Sequence, residues 1–207
     1  SLKSASEILG DTKDTDERLK LIDILSHDVQ RIERLITDYS QILKDEVALS
    51  KEKFKKIDLV PIIQSVVDDY NSIYQVKRGI NISCFNDGNK SYLINGIENR
   101  IEQIVANLLD NAISFSDNNQ NIEVKISKNS KKEILLNILD EGPGFKEKDT
   151  SKIFKRFYSN RPDKFGQHSG LGLNIVKNLT DLHIASISAL NRRDRDGANL
   201  EIIFPKV

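Results

Sequence analysis

The sequence predicts an α/β (α+β) two-layer sandwich: a mixed sheet covered by three helices on one face, preceded by a helical, coiled-coil-like segment. Three observations predict it. Beyond residue 80, short runs with apolar residues at every second position recur, as in half-buried strands. Between them lie runs with apolar residues at threes and fours, the spacing of one helical face. Ahead of both, the apolar steps alternate three and four without a break, a heptad seam.

Composition bounds the problem. At 207 residues the chain can hold one real core, or a domain plus an appendage. Its 31 basic and 31 acidic residues balance, so charge gives no case for nucleic acid or an anionic membrane surface. The single Cys84 excludes an internal disulfide and a cysteine-rich zinc site, and it suits a reducing cytosol. The longest apolar run, Ile134 to Leu139, fits a buried strand and is far too short to span a bilayer. The chain begins at Ser1 and contains no methionine, which predicts an excised piece of a longer protein.

In chain order, Ser1 to Leu9 reads as the last turns of a helix, with Gly10 placed as its cap. Asp14 to Glu17 offers an N-cap acid with a glutamate three residues on, and a helix then runs to about Glu46. Its seam is Ile22, Leu25, Val29, Ile32, Ile36, Tyr39 and Leu43, which predicts self-association. Lys51 to Lys56 serves as linker and first edge strand. Pro61 suits the first turn of a helix whose buried face is Ile62, Ile63, Val66, Val67 and Tyr70. Ile80 to Phe85 alternates as a strand and Asn86 to Asn89 is a turn. A central helix covers Ile97 to Phe115. Ile122 to Ile126 and Glu133 to Leu139 form a hairpin. Periodicity then fails from Phe145 to Ser169, and a loop that long inside a domain is usually functional. Gly170 to Leu182 is helical. Ile184 to Leu190 and Ala198 to Phe204 close the chain as a hairpin around Asp196-Gly197. The predicted division is 1–50 and 51–207.

Four motifs carry chemistry. Asn107 and Asn111 lie one turn apart on the central helix, so both amides leave one side of it. Their oxygens are hard neutral ligands of the kind magnesium accepts beside phosphate and water; the plain alternative is a polar stripe facing solvent. Asp140 ends an apolar strand just before Gly142 and Gly144. A carboxylate there can accept from an adenine amino group, and the glycines let backbone pass close to a base. Gly170 and Gly172 open a helix, where free N–H groups and the helix dipole favour anions. No stretch completes a Walker loop or a dinucleotide fingerprint. In the long loop, Phe154 and Phe157 can anchor on the core, while Arg156, Arg161 and Lys164 carry charge that could reach a triphosphate.

In this order, Asn-x-x-x-Asn, Asp-x-Gly-x-Gly, Phe-x-x-Phe and Gly-x-Gly-Leu resemble the nucleotide-binding boxes of sensor histidine kinases, within the superfamily shared with gyrase, Hsp90 and MutL. The resemblance implies ATP and Mg2+ as cofactors. Asn111, assisted by Asn107, would hold the metal, and Asp140 would read adenine. Gly142, Gly144, Phe154, Phe157, Arg161, Lys164, Gly170, Leu171 and Gly172 would line the ATP site, with residues 145–169 as its lid. Where Asn107 stands, the hydrolase branches carry a glutamate base; an amide does not accept a proton usefully at neutral pH. The resemblance therefore implies donation of the γ-phosphoryl to a histidine, for relay to a response-regulator aspartate.

Residues 14–46 are similar to the second helix of the family's dimerisation and phosphotransfer hairpin, which implies a homodimer through that helix in the full-length protein. The acceptor box His-acidic-x-x-x-Pro is absent. His27-Asp28 imitates its first pair, but Val29 to Glu33 contains no proline and Arg31 holds the usual threonine or asparagine position. His27 is therefore not read as the acceptor, which is expected just ahead of Ser1, and this chain is expected not to phosphorylate itself. Two further departures stand out. Ser114 replaces the usual lysine or arginine, and Ile184-Ala185 replaces two glycines, so the preceding helix is expected to end differently. His183 is expected to cap that helix and favour its dipole. The resemblance implies a cytoplasmic catalytic part, with full-length anchoring in the membrane by segments outside this sequence. Two rival functions remain open. One is a non-catalytic dimerisation or scaffold module with a degenerate pocket, favoured by Ser114. The other is a superfamily ATP hydrolase, disfavoured by Asn107.

Overall fold

The structure is a computed structural model that describes residues 14, 15, 17–26, 29, 32, 53–88, 91–146, 149–156, 158 and 170–206. The chain divides into two compact units, Ser1–Ser50 with Gln167–Ser169, and Lys51–Gly166 with Gly170–Val207. In the first, residues 17–26 are helical. Asp14 caps them as its sequence context predicts: its Oδ1 accepts from the Glu17 N–H at 3.2 Å and its carbonyl from Arg18 at 3.0 Å. Ile22, Val29 and Ile32 of the heptad seam are exposed. The helix predicted over residues 1–9, His27 and the seam beyond Ile32 lie outside the described residues.

The second unit contains β1 (Lys55–Asp58), α1 (Leu59–Arg78), β2 (Asn81–Phe85), β3 (Leu93–Gly96), α2 (Glu98–Phe115), β4 (Asn121–Lys128), β5 (Ile134–Leu139), a 3-10 helix (Thr150–Phe154), α3 (Gly172–Leu182), β6 (Ser186–Asn191) and β7 (Ala198–Phe204). Five strands form the main sheet in the order β2-β4-β5-β7-β6. β2 runs parallel to β4 and the other pairs are antiparallel, so the sheet is mixed.

The period-two pattern makes the sheet one-faced. Val124, Leu136, Ile138, Leu200, Ile202 and Phe204 turn into the core. On the opposite face Asn137 Nδ2 donates to Asn199 Oδ1 (3.1 Å) and Glu201 Oε2 (3.0 Å). Ile63 and Val67 of α1, Ile101, Ile104 and Leu108 of α2, and Val176 and Leu179 of α3 belong to the same buried cluster as the apolar strand residues. Burying each such side chain contributes roughly 1.5–3 kcal/mol.

Caps join the helices. Asp58 starts α1 by accepting from Val60 N–H, and Gly79 ends it in the left-handed region at φ 65°. The Arg78 guanidinium crosses to α2 and donates to the carbonyls of Ile113 (2.9 Å) and Ser116 (2.6 Å), satisfying that helix's last turn. At its other end α2 has no side-chain cap of its own. The Ile97 N–H there donates to His183 Nε2 at 3.1 Å.

Four expectations need correction. The first strand is no edge of the main sheet: β1 pairs with β3 in a separate two-stranded ribbon. The strand β3 itself was not expected, because its four residues run straight into the helical period of α2. His183 is the C-cap of α3, as expected, but not as a cation favouring the helix dipole. It is buried, burial pushes its pKa down, and Nε2 accepts from Ile97, so Nδ1 carries the proton and donates to Leu179 O at 2.7 Å. Finally, α3 ends as a glycine-capped helix would. Ile184 N–H donates to Asp181 O and Ala185 N–H to Thr180 O, both at 3.0 Å, with Ile184 at φ 55°.

Candidate functional site

The second motif packs on the C-terminal end of α2, the helix that carries the first. β5, the middle strand of the sheet, delivers Asp140 just past its C-terminal end, where it is only 3% exposed. Its Oδ1 accepts from Gly142 N–H and Ala198 N–H, each at 2.9 Å, and among the described residues no donor reaches Oδ2. Burial raises the Asp140 pKa, opposed by those two backbone bonds and by the Arg192 charge. Gly142 packs so closely on α2 that a Cβ there would lie 2.7 Å from the Phe115 carbonyl. Gly144 sits at φ 66°, and a Cβ would fall 2.7 Å from Asn191 Oδ1. Glycine is therefore required by space at 142 and by the left-handed conformation at 144.

Two turns back along α2, Asn107 turns its Nδ2 onto Gln103 O at 2.8 Å. That leaves Oδ1 facing the first turn of α3, where a Cβ on Gly172 would lie 3.1 Å from it. Asn111 lies between, half-buried, with its carbonyl accepting from Ser114 Oγ at 2.7 Å. The side chain at 114 is thus a short hydroxyl folded back on its own helix, and it supplies no charge. Gly170 takes φ 71° and Leu171 is the buried N-cap of α3, which has no side-chain cap bond. The motif residues therefore line α2 from Phe115 to Asn107. That is eight residues, about 12 Å at the helical rise, with a buried carboxylate at one end and a helix N-terminus at the other.

Of the loop residues, Phe154 ends the 3-10 helix and packs against the core, and its carbonyl accepts from Asn174 Nδ2 of α3 at 2.9 Å. Arg156 is exposed. Phe157, Arg161, Lys164 and His168 lie outside the described residues. No cluster of three or more His, Cys, Asp or Glu able to hold a metal exists among the described residues. A groove of about 370 Å³, lined by Phe54, Ile94, His183, Ile184, Phe204 and Pro205 among others, opens at the far end of α3 and contains none of the motif residues.

Residues 96–207, more than half of the chain, match the family described as histidine kinase-, DNA gyrase B-, and HSP90-like ATPase. The chain belongs to this ATPase family. Among curated relatives, it is 34% identical over 203 residues to sensor protein ChvG of Rhizobium meliloti and 36% identical over 203 residues to ChvG of Agrobacterium fabrum. These alignments cover 95% of this chain but 35% and 34% of the relatives, so the chain spans about a third of their length. Among solved structures, the catalytic domain of histidine kinase ThkA superposes with a TM-score of 0.64 at 25% identity, covering 74% of this chain and 96% of that one. Full-length ShkA in complex with AMPPNP gives 0.70 at 20% identity over 99% of this chain and 42% of its own. ThkA in complex with the response regulator TrrA gives 0.67 at 22% identity over 100% and 59%. Residues 96–207 are thus the ATPase domain of this family, and the curated relatives with which the chain aligns are sensor proteins.

Residues of the β6–β7 end, which belong to none of the four motifs, also reach this site. Arg192 is buried, with Nη2 on Glu123 (2.6 Å) and Asp194 (2.8 Å) and Nε on Asp194 (3.0 Å). Asn191 holds the Phe145 backbone by both amide atoms. In the sequence Arg192 sits in a run of alternating charges that reads as a solvated turn, and Glu123 is 69 residues away. Asn174 was the more legible of the overlooked residues, an amide in the first turns of a helix opened by the glycine motif.

Proposed function

We propose that residues 51–207 bind Mg–ATP along α2 and donate its γ-phosphoryl group to a histidine outside this chain. The observation that carries the reading is the alignment of Asp140, Asn111, Asn107 and Gly172 along one side of α2. It offers a base-reading carboxylate and an anion-favouring helix start, set against positions of α2 that are about 12 Å apart along its axis. Asp140 Oδ2 is the acceptor for the adenine 6-amino group, while Oδ1 stays occupied by the loop's own N–H groups. The first turn of α3 meets the phosphates with backbone N–H groups. Gly142, Gly144, Leu171 and Phe154 shape the pocket, and Phe157, Arg161 and Lys164 are assigned to the lid.

The donor chemistry fits magnesium. Two neutral amide oxygens, with no carboxylate cage, leave the remaining positions to phosphate and water. Asn111 and Asn107 would hold the ion, which when bound neutralises charge on the phosphates. In the transfer, an imidazole nitrogen of the acceptor attacks the γ-phosphorus. The bond to the β–γ bridging oxygen breaks, ADP leaves, and the ring proton passes to solvent. Asn107 cannot serve as a base for water, so hydrolysis is slow beside transfer. His183 is no acceptor, since both of its ring nitrogens are engaged in the core.

The wider assignments rest on the family. Residues 1–50 form part of a phosphotransfer hairpin, dimerising through helix 14–46, and the phosphoryl group passes on to a response-regulator aspartate. No helix among the described residues is long and apolar enough to cross a membrane. We place this part on the cytoplasmic side, with membrane anchoring in segments outside this sequence. Titration calorimetry with ATP, with and without Mg2+, tests the core of the proposal. The parent should bind Mg–ATP, and Asn111→Ala should lose most of the magnesium dependence with its melting temperature unchanged. Equal Mg–ATP affinity in the two proteins removes Asn111 from the metal role.

A further inference from the structure

The loop that carries the base-reading carboxylate is gripped at both ends by neighbouring residues of one hairpin. At its start, Asp140 N–H donates to Ala198 O (3.0 Å), and Asp140 Oδ1 accepts from Ala198 N–H (2.9 Å). Gly197 lies so close that a Cβ there would stand 2.0 Å from the Asp140 carbonyl oxygen. Arg192 reaches that same oxygen through Nη1 at 3.4 Å, and its own N–H donates to Gly197 O at 2.9 Å. At the loop's end, Asn191 Oδ1 accepts from Phe145 N–H (2.6 Å) and Asn191 Nδ2 donates to Phe145 O (2.9 Å).

The grip is itself braced. The Arg192 side chain is fully buried and forms a two-point pair with Asp194 and a bond to Glu123 of β4. Glu123 is also paired with Lys125. Arg195 links Asp194 to Glu141 at 3.1 and 2.9 Å, and Glu141 Oε2 accepts from Asn121 N–H at 2.9 Å. The loop from Asp140 to Phe145 is thereby fixed to β4, β6 and β7 together. A rigid fork, rather than a bare charge, is what such a brace needs.

We propose that Asn191 and Arg192 are positioning residues that set how strictly the pocket selects a 6-amino purine, by holding the Asp140–Phe145 loop at both ends. The proposal rests on the adenine-reading assignment of Asp140. Its test compares affinities of ATP and ITP, which lacks the 6-amino group, in Mg2+ by calorimetry on the full 207-residue chain. The parent should prefer ATP. Asn191→Ala removes an exposed amide and should leave the melting temperature in place. Arg192→Lys keeps the charge and loses the fork. Each should shrink the ATP/ITP preference by roughly three- to tenfold through weaker ATP binding, with ITP affinity nearly unchanged.

A purely structural role would weaken both nucleotides equally, or neither, and leave the ratio intact. A preserved ratio in Asn191→Ala and in any folded Arg192→Lys overturns the proposal. If the parent itself shows no preference, the Asp140 assignment falls and this inference falls with it, a failure visible before any variant is made.

Discussion

The Asp140 carboxyl is held by its own loop at one oxygen and open to a ligand at the other. Asp140→Asn can keep the amide oxygen on Gly142 and Ala198 while turning a donor towards the adenine amino group. We expect ATP binding to fall by about 2 kcal/mol in calorimetry, as for loss of one charge-assisted bond. Stability should move the other way. Because the folded pKa is raised by burial, the carboxyl contributes fully to folding below its ordinary range near 4 and progressively less as pH rises through the folded value. Denaturant melts should therefore show Asp140→Asn gaining on the parent between pH 4 and 7. A constant difference across that range would mean the buried carboxyl carries no such penalty. The residue was legible because a lone acid closing an apolar strand before two glycines is conspicuous. Arg192 was not, since only the fold brings its distant partner Glu123 to it and withdraws its charge from water.

Among the elements, α3 makes opposite demands at its two ends. Gly172→Ala improves helix propensity, yet its Cβ would crowd Asn107 Oδ1 at 3.1 Å. The expected result is an unchanged or higher melting temperature with Mg–ATP affinity reduced several-fold, measured by melts and calorimetry on the same preparation. At the other end Ile184 is 84% exposed and held at φ 55°, a left-handed conformation that a β-branched residue adopts only under strain. Ile184→Gly should stabilise the domain by about 1 kcal/mol in denaturant melts, with ATP affinity unaltered. The absent glycines imply a different termination, whereas hydrogen bonds to Thr180 and Asp181 enforce the usual one on an unsuitable residue. β3 escaped notice for another reason. Four residues are too few to show a period of two beside an 18-residue helix.

Across the whole molecule, the sheet and its helical layer are legible because β4 alternates, β5 is a short apolar run and the helices between the strands carry one apolar face each. The order of strands is not, since register depends on pairings far apart in sequence. On the same scale, a chain whose three histidines include no acceptor box should bind ATP without labelling itself. Incubation with γ-labelled ATP, followed by mapping of acid-labile phosphohistidine, should find none; label on His27 that vanishes in His27→Gln contradicts this. The bond from Ile97 N–H to His183 has a mechanical consequence. The C-terminal end of α3 cannot slide without stripping a buried donor of its partner, so it acts as a fulcrum. An adjustment of α3 to a ligand at its N-terminus would then take the form of rotation about that point. Over a helix of 11 residues, roughly 16 Å long, a tilt of about 4° carries Gly172 through about 1 Å, while the core around His183 stays still.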